Sequence, residues 1–537
     1  MPKVEFTSTV GADDLAGLRV ERRDLVREHK AGDDRWELEE GPFTHYHRSL
    51  EVEPLADGYR VTETTHYTLA TPVWSILIRW PMSRALRSYD RRPRRRWWWP
   101  QEVVSARTAT LVSSLCVISV MFGYLGVIIG QTIAFAAADF GSSDSAEANT
   151  LAAVRIGVLI SVLLIHRADR IGRRPLILGF TTAAVLFTMV GALAPSLVWL
   201  GAAQTVARGL TTGLITLVVL AATEEVPAGV RAFSISLLTI SAALGAGMVV
   251  WALPLDDLID GGWRIIYLIP GIFLPLLWWL SPQLTETRRF KAATDHSAPA
   301  EIKWSRFALL GGSAFAGALF LSPASQLRNE YLSDDLGYSA TDVSAFQLII
   351  ALPASTAVIL AGLAADRMGR RKIGSIGLAI GVIMTAISFQ FVGPTLWFAA
   401  SAGVVFTGAA FPATRGYQTE LFPTRARAKV GGLLDVVGVT GSAVGLITMG
   451  YLSERWDDLG SAIGVMVFAP ILVAVAIATI YPETASTELE KFNPTDPNLK
   501  GSNLVPSDST PPSVVPSGSE QDPAGLTELG DARSRLD

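Results

Sequence analysis

Cysteine and charge are both scarce in this 537-residue sequence. A single cysteine, Cys116, excludes a disulfide framework and any multi-cysteine metal centre, and its apolar neighbours make it a small hydrophobe rather than a reagent. Charged residues make up 18% of the chain against 50% hydrophobic, and mean hydropathy is +0.35. Soluble domains carry about a quarter charged residues, so a soluble chain is excluded in favour of a membrane protein. The formal net charge of −4 leaves no basic surplus and no case for nucleic acid. The phosphate-binding pattern G-x-x-x-x-G-K-[ST] is absent, as are H-E-x-x-H and G-x-S-x-G. An ATP-driven pump and a hydrolase therefore have no support, and no cofactor or enzymatic activity is expected. The opening MPKVEFTSTVGADDLAG lacks the apolar core of a secretory signal, so the first residues are expected to be soluble.

Residues 1–104 are polar and mixed. Phe43 to Val52 and Gly58 to Leu69 read as strands joined by a turn at Pro54, which predicts a small α+β module. His45 and His47 share a strand face and His66 lies on the next strand. No cysteine or acidic partner has fitting spacing, so no metal site is assigned. Residues 483–537 are rich in Pro, Ser, Asp and Gly and are expected to be a disordered tail.

Between these regions, charges, Gly and Pro divide a nearly continuous apolar sequence into twelve stretches of membrane-spanning length. They run approximately 107–138, 149–168, 174–194, 196–223, 230–254, 263–281, 305–332, 342–366, 372–392, 395–418, 427–450 and 460–482. The loops after odd-numbered stretches hold one basic residue (Arg455) and eleven acids, whereas those after even-numbered stretches hold 17 Lys and Arg. The positive-inside rule makes the second set cytoplasmic, and both termini with it. The run RRPRRRWWWP, residues 91–100, suits a cytoplasmic headgroup layer.

Two motifs recur. ADRIGRR at 168–174 is nearly repeated as ADRMGRR at 365–371, and Glu224, Pro227 and Arg231 return as Glu420, Pro423 and Arg427. The offsets are almost equal, which indicates a duplicated six-helix unit in parallel orientation. In these paired motifs the chain resembles the major facilitator superfamily. TELFPTRARA at 419–428, Trp263-Arg264, LTETRRF at 284–290 and PET at 482–484 are similar to its sugar-porter and metabolite:proton symporter branches. The resemblance implies an all-α membrane protein of twelve transmembrane helices in two six-helix bundles, 105–281 and 305–482, joined by a cytoplasmic loop at 282–304.

The resemblance also implies a cytoplasmic gate built from Asp169, Arg170, Arg173 and Arg174 with Glu224 and Arg231, and from Asp366, Arg367, Arg370 and Arg371 with Glu420 and Arg427. A glycine, Gly362, stands four residues before Asp366 where Ile165 precedes Asp169, so the first half of the gate is expected to pack more loosely.

Charges within the stretches are costly and mark function. At 1.5 Å per residue Arg208 lies about 23 Å from the inner end of its stretch, Asp435 about 12 Å and Arg155 about 21 Å. Arg208 matches the family's fourth-helix arginine. Asp435 is expected to carry a proton or to pair with Arg155. The family's Gly-Tyr-Asp is here Gly123-Tyr124-Leu125, so coupling must use another acid. Tyr124, Gln131, Ser325, Gln326, Arg328 and Asn329 are the candidate cavity residues. The expected function is a multi-pass, monomeric carrier of a small polar solute in the cytoplasmic membrane, by alternating access with proton coupling. The arginines favour an anionic solute. The alternatives are an exporter, or a sensor that transports nothing.

Overall fold

The computed structural model describes residues 2–487 except 88–101, 143, 166–167, 259–260, 295–301, 329–330, 339, 424–425, 457 and 486. The basic run at 91–100 and most of the tail therefore lie outside the described residues.

The N-terminal module is a five-stranded antiparallel sheet of β1 (Lys3–Val10), β2 (Arg27–Gly32), β3 (Arg35–Glu40), β4 (Phe43–Leu55) and β5 (Gly58–Leu69), in the order β1-β5-β4-β3-β2. Helix α1 (Ala12–Leu18) follows β1, and α2 (Ser75–Arg87) follows β5. The two strands read from sequence are β4 and β5. The other three alternate less cleanly between apolar and polar residues. His47 faces His66 across the β4–β5 ladder. A buried ion pair lies in the sheet: Arg48 donates to Glu28 at 2.8 Å and its guanidinium stacks 3.9 Å from the Trp36 ring centroid. Burial holds the Tyr46 phenol, which donates to Glu28, well above its ordinary pKa.

The remaining chain is helical: α3 (Ala106–Asp139), α4 (Asp144–Ile165), α5 (Ala168–Ile171), α6 (Arg173–Ala192), α7 (Leu197–Glu225), α8 (Arg231–Ala252), α9 (Trp263–Leu268), α10 (Phe273–Leu280), α11 (Arg288–Thr294), α12 (Trp304–Gln326), α13 (Ala340–Met368), α14 (Arg370–Ile387), α15 (Pro394–Glu420), α16 (Arg427–Trp456), α17 (Leu459–Met466) and α18 (Phe468–Thr479). Side-chain caps begin several of them. Ser105 accepts from the Thr108 amide, Ser196 from Trp199, and Asp458 from Gly460 and Ser461. Pro270 divides the sixth stretch into α9 and α10 through a 3₁₀ turn.

Among the described residues ten segments are long and apolar enough to cross a membrane. Helices α4 and α14 fill the second and ninth positions but fall short of that measure. α4 opens on acidic residues and carries Arg155, and α14 has 18 residues that start with Arg370, Arg371 and Lys372. The seventh stretch also ends earlier than expected: α12 stops at Gln326, and a wide helical turn follows at Tyr331–Asp335.

Two large apolar cores result. One is built between Leu111 and Leu284, with Ala428 added, and the other between Leu310 and Tyr481. They match the two copies of the repeat. The expectation of a tail disordered from 483 onwards is corrected at its first residues, because Glu483 bonds a helix start as described next and Thr484 is fully buried.

Candidate functional site

The repeated D-R-x-G-R-R motif makes the same turn twice. Gly172 has φ +111° and Gly369 φ +103°, backbone that side-chain-bearing residues resist. Each glycine also leaves room for a carboxylate: a Cβ would stand 2.4 Å from Glu286 Oε2 at the first and 2.5 Å from Glu483 Oε2 at the second. That carboxylate caps the following helix. Glu286 accepts the amides of Arg173 (3.0 Å) and Arg174 (3.1 Å), and Glu483 those of Arg370 (2.8 Å) and Arg371 (3.2 Å). Sequence reading recorded LTE and PET but gave these glutamates no role. Their separation of 197 residues, the same as that from Asp169 to Asp366, was the signal.

With the turns fixed, the arginines point inward. Arg173 grips Glu224 with two hydrogen bonds of 3.1 and 2.9 Å, and Thr287 adds a third at 2.7 Å. Arg370 pairs with Glu420 and stands 3.5 Å from Asp366. All of these side chains are buried. The second arginine of each cluster differs from expectation. Arg427 pairs with Glu224 at 3.5 Å, and Arg231 with Glu420 at 3.6 Å. Each thus serves the glutamate of the other half rather than its own. The reason is packing: α8, which begins at Arg231, lies along α13 and α15 of the second half, and α16, which begins at Arg427, lies along α4 and α7 of the first. Asp366 continues the crossing by accepting the Ala232 (3.1 Å) and Phe233 (3.0 Å) amides at the N-terminus of α8. The side chain of Asp169 lies outside the described residues. Arg170 is exposed, Arg367 half-buried, and Arg174 and Arg371 bond carbonyls of Leu284 and Ala478.

Between the halves lies a cavity of about 650 Å³, lined by Arg208 and Thr212 of α7, Ser313, Ser322 and Ser325 of α12, Arg415 and Gln418 of α15, and Asp435 and Ser442 of α16. Asp435 accepts from Thr216 at 2.6 Å and from Arg415 at 3.2 Å. Its expected pairing with Arg155 is therefore corrected: Arg155 instead donates to Gln326 at 2.5 Å, bridging α4 to α12, and Gln326 in turn donates to Ser322 at 2.7 Å. Arg415 was missed, although an arginine inside the tenth apolar stretch is itself a functional signal.

Tyr124 is corrected as well. It is fully buried in the first core, with its hydroxyl on the Ile266 carbonyl (2.8 Å) and its ring edge-on to Phe273. Its aromatic bulk fills a helix interface rather than the cavity. Gln131 is exposed, and Arg328 lies past the end of α12 over the Phe389 ring. Asn329 lies outside the described residues.

The structure thus consists of two pseudo-equivalent helix bundles with a polar cavity between them and ion clusters at one end. A family profile for the Major Facilitator Superfamily matches residues 307–533. The chain is 28% identical over 242 residues to a gallate transporter of Pseudomonas putida, a match covering 41% of this chain and about half (51%) of that protein. It is 26% identical over 369 residues to a cis,cis-muconate transport protein of Acinetobacter baylyi, covering 63% of this chain and 87% of the relative. The fold is similar to that of the proton:xylose symporter XylE, with a TM-score of 0.59 at 18% identity over 73% of this chain and 99% of the other. The chain is thus similar to transporters of the major facilitator superfamily, by a family profile over residues 307–533 and by its fold.

Proposed function

We propose that this protein is a proton-coupled carrier of small organic carboxylates that works by alternating access. The observation that carries the reading is the cavity cation Arg208. Among the described residues it bonds only the Gly126 carbonyl and meets no carboxylate. Arg155, which bonds Gln326, is exposed and lies outside the cavity lining. A buried positive charge is costly without an anion, so an anionic solute completes this site better than a neutral one does. The relatives named for gallate and muconate, both organic carboxylates, support the same class.

Asp435 supplies the coupling. In the unprotonated state it holds Arg415. A proton on Asp435 neutralises it and frees Arg415 to take a solute carboxylate. Proton and anion then enter together with no net change in buried charge, which lowers the cost of crossing a low-dielectric path. The ion clusters around Glu224 and Glu420 form the closed cytoplasmic gate and must part for release.

In this reading α4 and α14 complete twelve spans in two bundles, 105–281 and 305–482. The loop at 282–304, the N-terminal module and the tail lie in the cytoplasm, with the chain a monomer in the cytoplasmic membrane. The test is uptake of labelled gallate and cis,cis-muconate into proteoliposomes, with and without an imposed pH gradient. The expected result is gradient-driven accumulation that Asp435→Asn abolishes while solute exchange survives. Accumulation that ignores both gradient and mutation, or the absence of any carboxylate transport, overturns the proposal.

A further inference from the structure

Helix α2 has two apolar faces, and only one of them is used. At 100° per residue Ile78, Met82, Ala85 and Leu86 fall on one side, where they pack on the sheet core of Phe43, Tyr46 and Tyr67. Ile76, Leu77 and Trp80 fall on the opposite side and are 84%, 69% and 70% exposed. Val73, just before the helix, continues this stripe at i, i+3, i+4 and i+7, and Arg84 and Arg87 extend it at the C-terminal end. The Arg84 guanidinium lies 5.8 Å from the Trp80 ring centroid.

The position of this face identifies what covers it. The connector into α2 is bonded to the first membrane-spanning helix: Thr110 donates to the Ala70 carbonyl (2.9 Å), Ser113 to Pro72 (2.9 Å), and the Trp74 indole to Ser113 (3.0 Å). These anchor points are four and seven residues into a span that begins at Ala106, or about 6 and 10 Å along its axis. The first turn of α2 is thereby held at the level of the bilayer edge. Its free stripe is the pattern of a helix lying in a membrane interface, with aromatic and aliphatic side chains at acyl depth and arginines at headgroup phosphates. The sequence that follows, with five arginines between 91 and 96, adds charge of the same sign.

We propose that α2 is an interfacial membrane helix that beds Ile76, Leu77 and Trp80 into the leaflet and binds anionic lipid headgroups through Arg84 and Arg87, fixing the N-terminal module on the membrane surface. The proposal goes beyond the transport reading and depends on it only for which leaflet is used.

The test uses the full chain in lipid nanodiscs with a nitroxide at Leu77→Cys. Ile76→Cys is read in the same way in case the first variant folds poorly, and Asp57→Cys in the exposed β4–β5 turn is the aqueous control. Cys116 is buried and does not compete for label. In discs containing phosphatidylglycerol, collisions with oxygen should exceed those with a water-soluble nickel chelate several-fold at 77 and 76, with the reverse at 57. In discs of phosphatidylcholine alone the excess should fall, and Arg84→Gln with Arg87→Gln should produce the same fall when phosphatidylglycerol is present. Chelate-dominated collisions at 77 and 76 overturn the proposal. Exclusion of both reagents also overturns it, by assigning the face to protein such as a second copy. An excess indifferent to lipid charge and to both arginines overturns the anionic headgroup site.

Discussion

The two ion clusters are built on one plan and set in differently packed seams. In the second half Gly362 brings α13 against α8 so closely that a Cβ there would stand 2.2 Å from Ser236 Oγ and 2.8 Å from the Ala232 carbonyl. Asp366 then reaches the first amides of α8, and Ala232, Ala365 and Ala413 fill the seam. In the first half Ile165 occupies the glycine position and is fully buried. There Glu224 receives Arg173, Thr287 and Arg427 together, as Glu420 receives Arg370 and Arg231 in the second half. Both seams thus carry an ion cluster, and among the described residues the second adds a close backbone approach at Gly362. Between apolar helices in lipid, close small-residue packing and interhelical hydrogen bonds are the available attractions, and the second seam combines both.

Removing the charge should separate the halves most sharply. Removing one member of a buried ion pair leaves its partner uncompensated, at a cost of about 3–5 kcal/mol. Glu224→Gln should approach that loss in thermal unfolding of the detergent-solubilised protein. Glu420→Gln should cost less, because Arg370 keeps Asp366 and the glycine seam remains. Equal losses would remove the distinction between the seams.

The next effect is steric. Gly362→Val should strain the tight seam by about 1–3 kcal/mol, the usual cost of overpacking. The strain should open the gate, speeding modification of a Ser313→Cys cavity reporter by a thiol reagent applied at the arginine-rich end. Glu286→Gln and Glu483→Gln provide the control. Each weakens one helix cap of the same geometry, so both should lower stability by a similar amount, about 1 kcal/mol.

The smallest effect lies away from the gate, where Asp139 joins α3 to α9. Hydrogen bonds from Arg264 (2.5 Å) and the Trp263 indole (3.2 Å) hold its carboxyl below the usual carboxylate range. A depressed pKa adds stability above the unfolded value near about 3.9, and that stability is lost as pH falls through the folded value. The pair is largely solvated, so Asp139→Asn should remove less than about 1 kcal/mol at neutral pH and flatten the acid limb of an unfolding profile.

Much of this architecture could be read from the sequence because membrane helices and duplicated charged turns leave strong local signals. The repeat picked out the residues of the two ion clusters, and Gly362 marked the close approach of α13 to α8. Partner choice was not readable. Arg231 and Arg427 cross to the opposite half because of how α8 and α16 pack, and no spacing within either copy encodes that crossing. Tyr124 looked like a cavity residue on an inward-facing helix, yet which side of α3 faces α8 and α10 is settled only by packing. Asp435 was found because a lone acid in an apolar stretch stands out. Its partner Arg415 lies 20 residues away on another helix, just before the TELFPTRARA motif that drew attention instead.

The most direct test of the gate is a distance measurement across it. Nitroxides at Ile171→Cys and Met368→Cys, both exposed and beside the two ion clusters, report the separation of the halves by pulsed electron resonance. If the clusters form the moving gate, the wild type should show a dominant short distance, and Glu224→Gln combined with Glu420→Gln should shift the population to a longer one. A single distribution unchanged by the double substitution would mean that the clusters are static structure, and the account of the gate would be wrong.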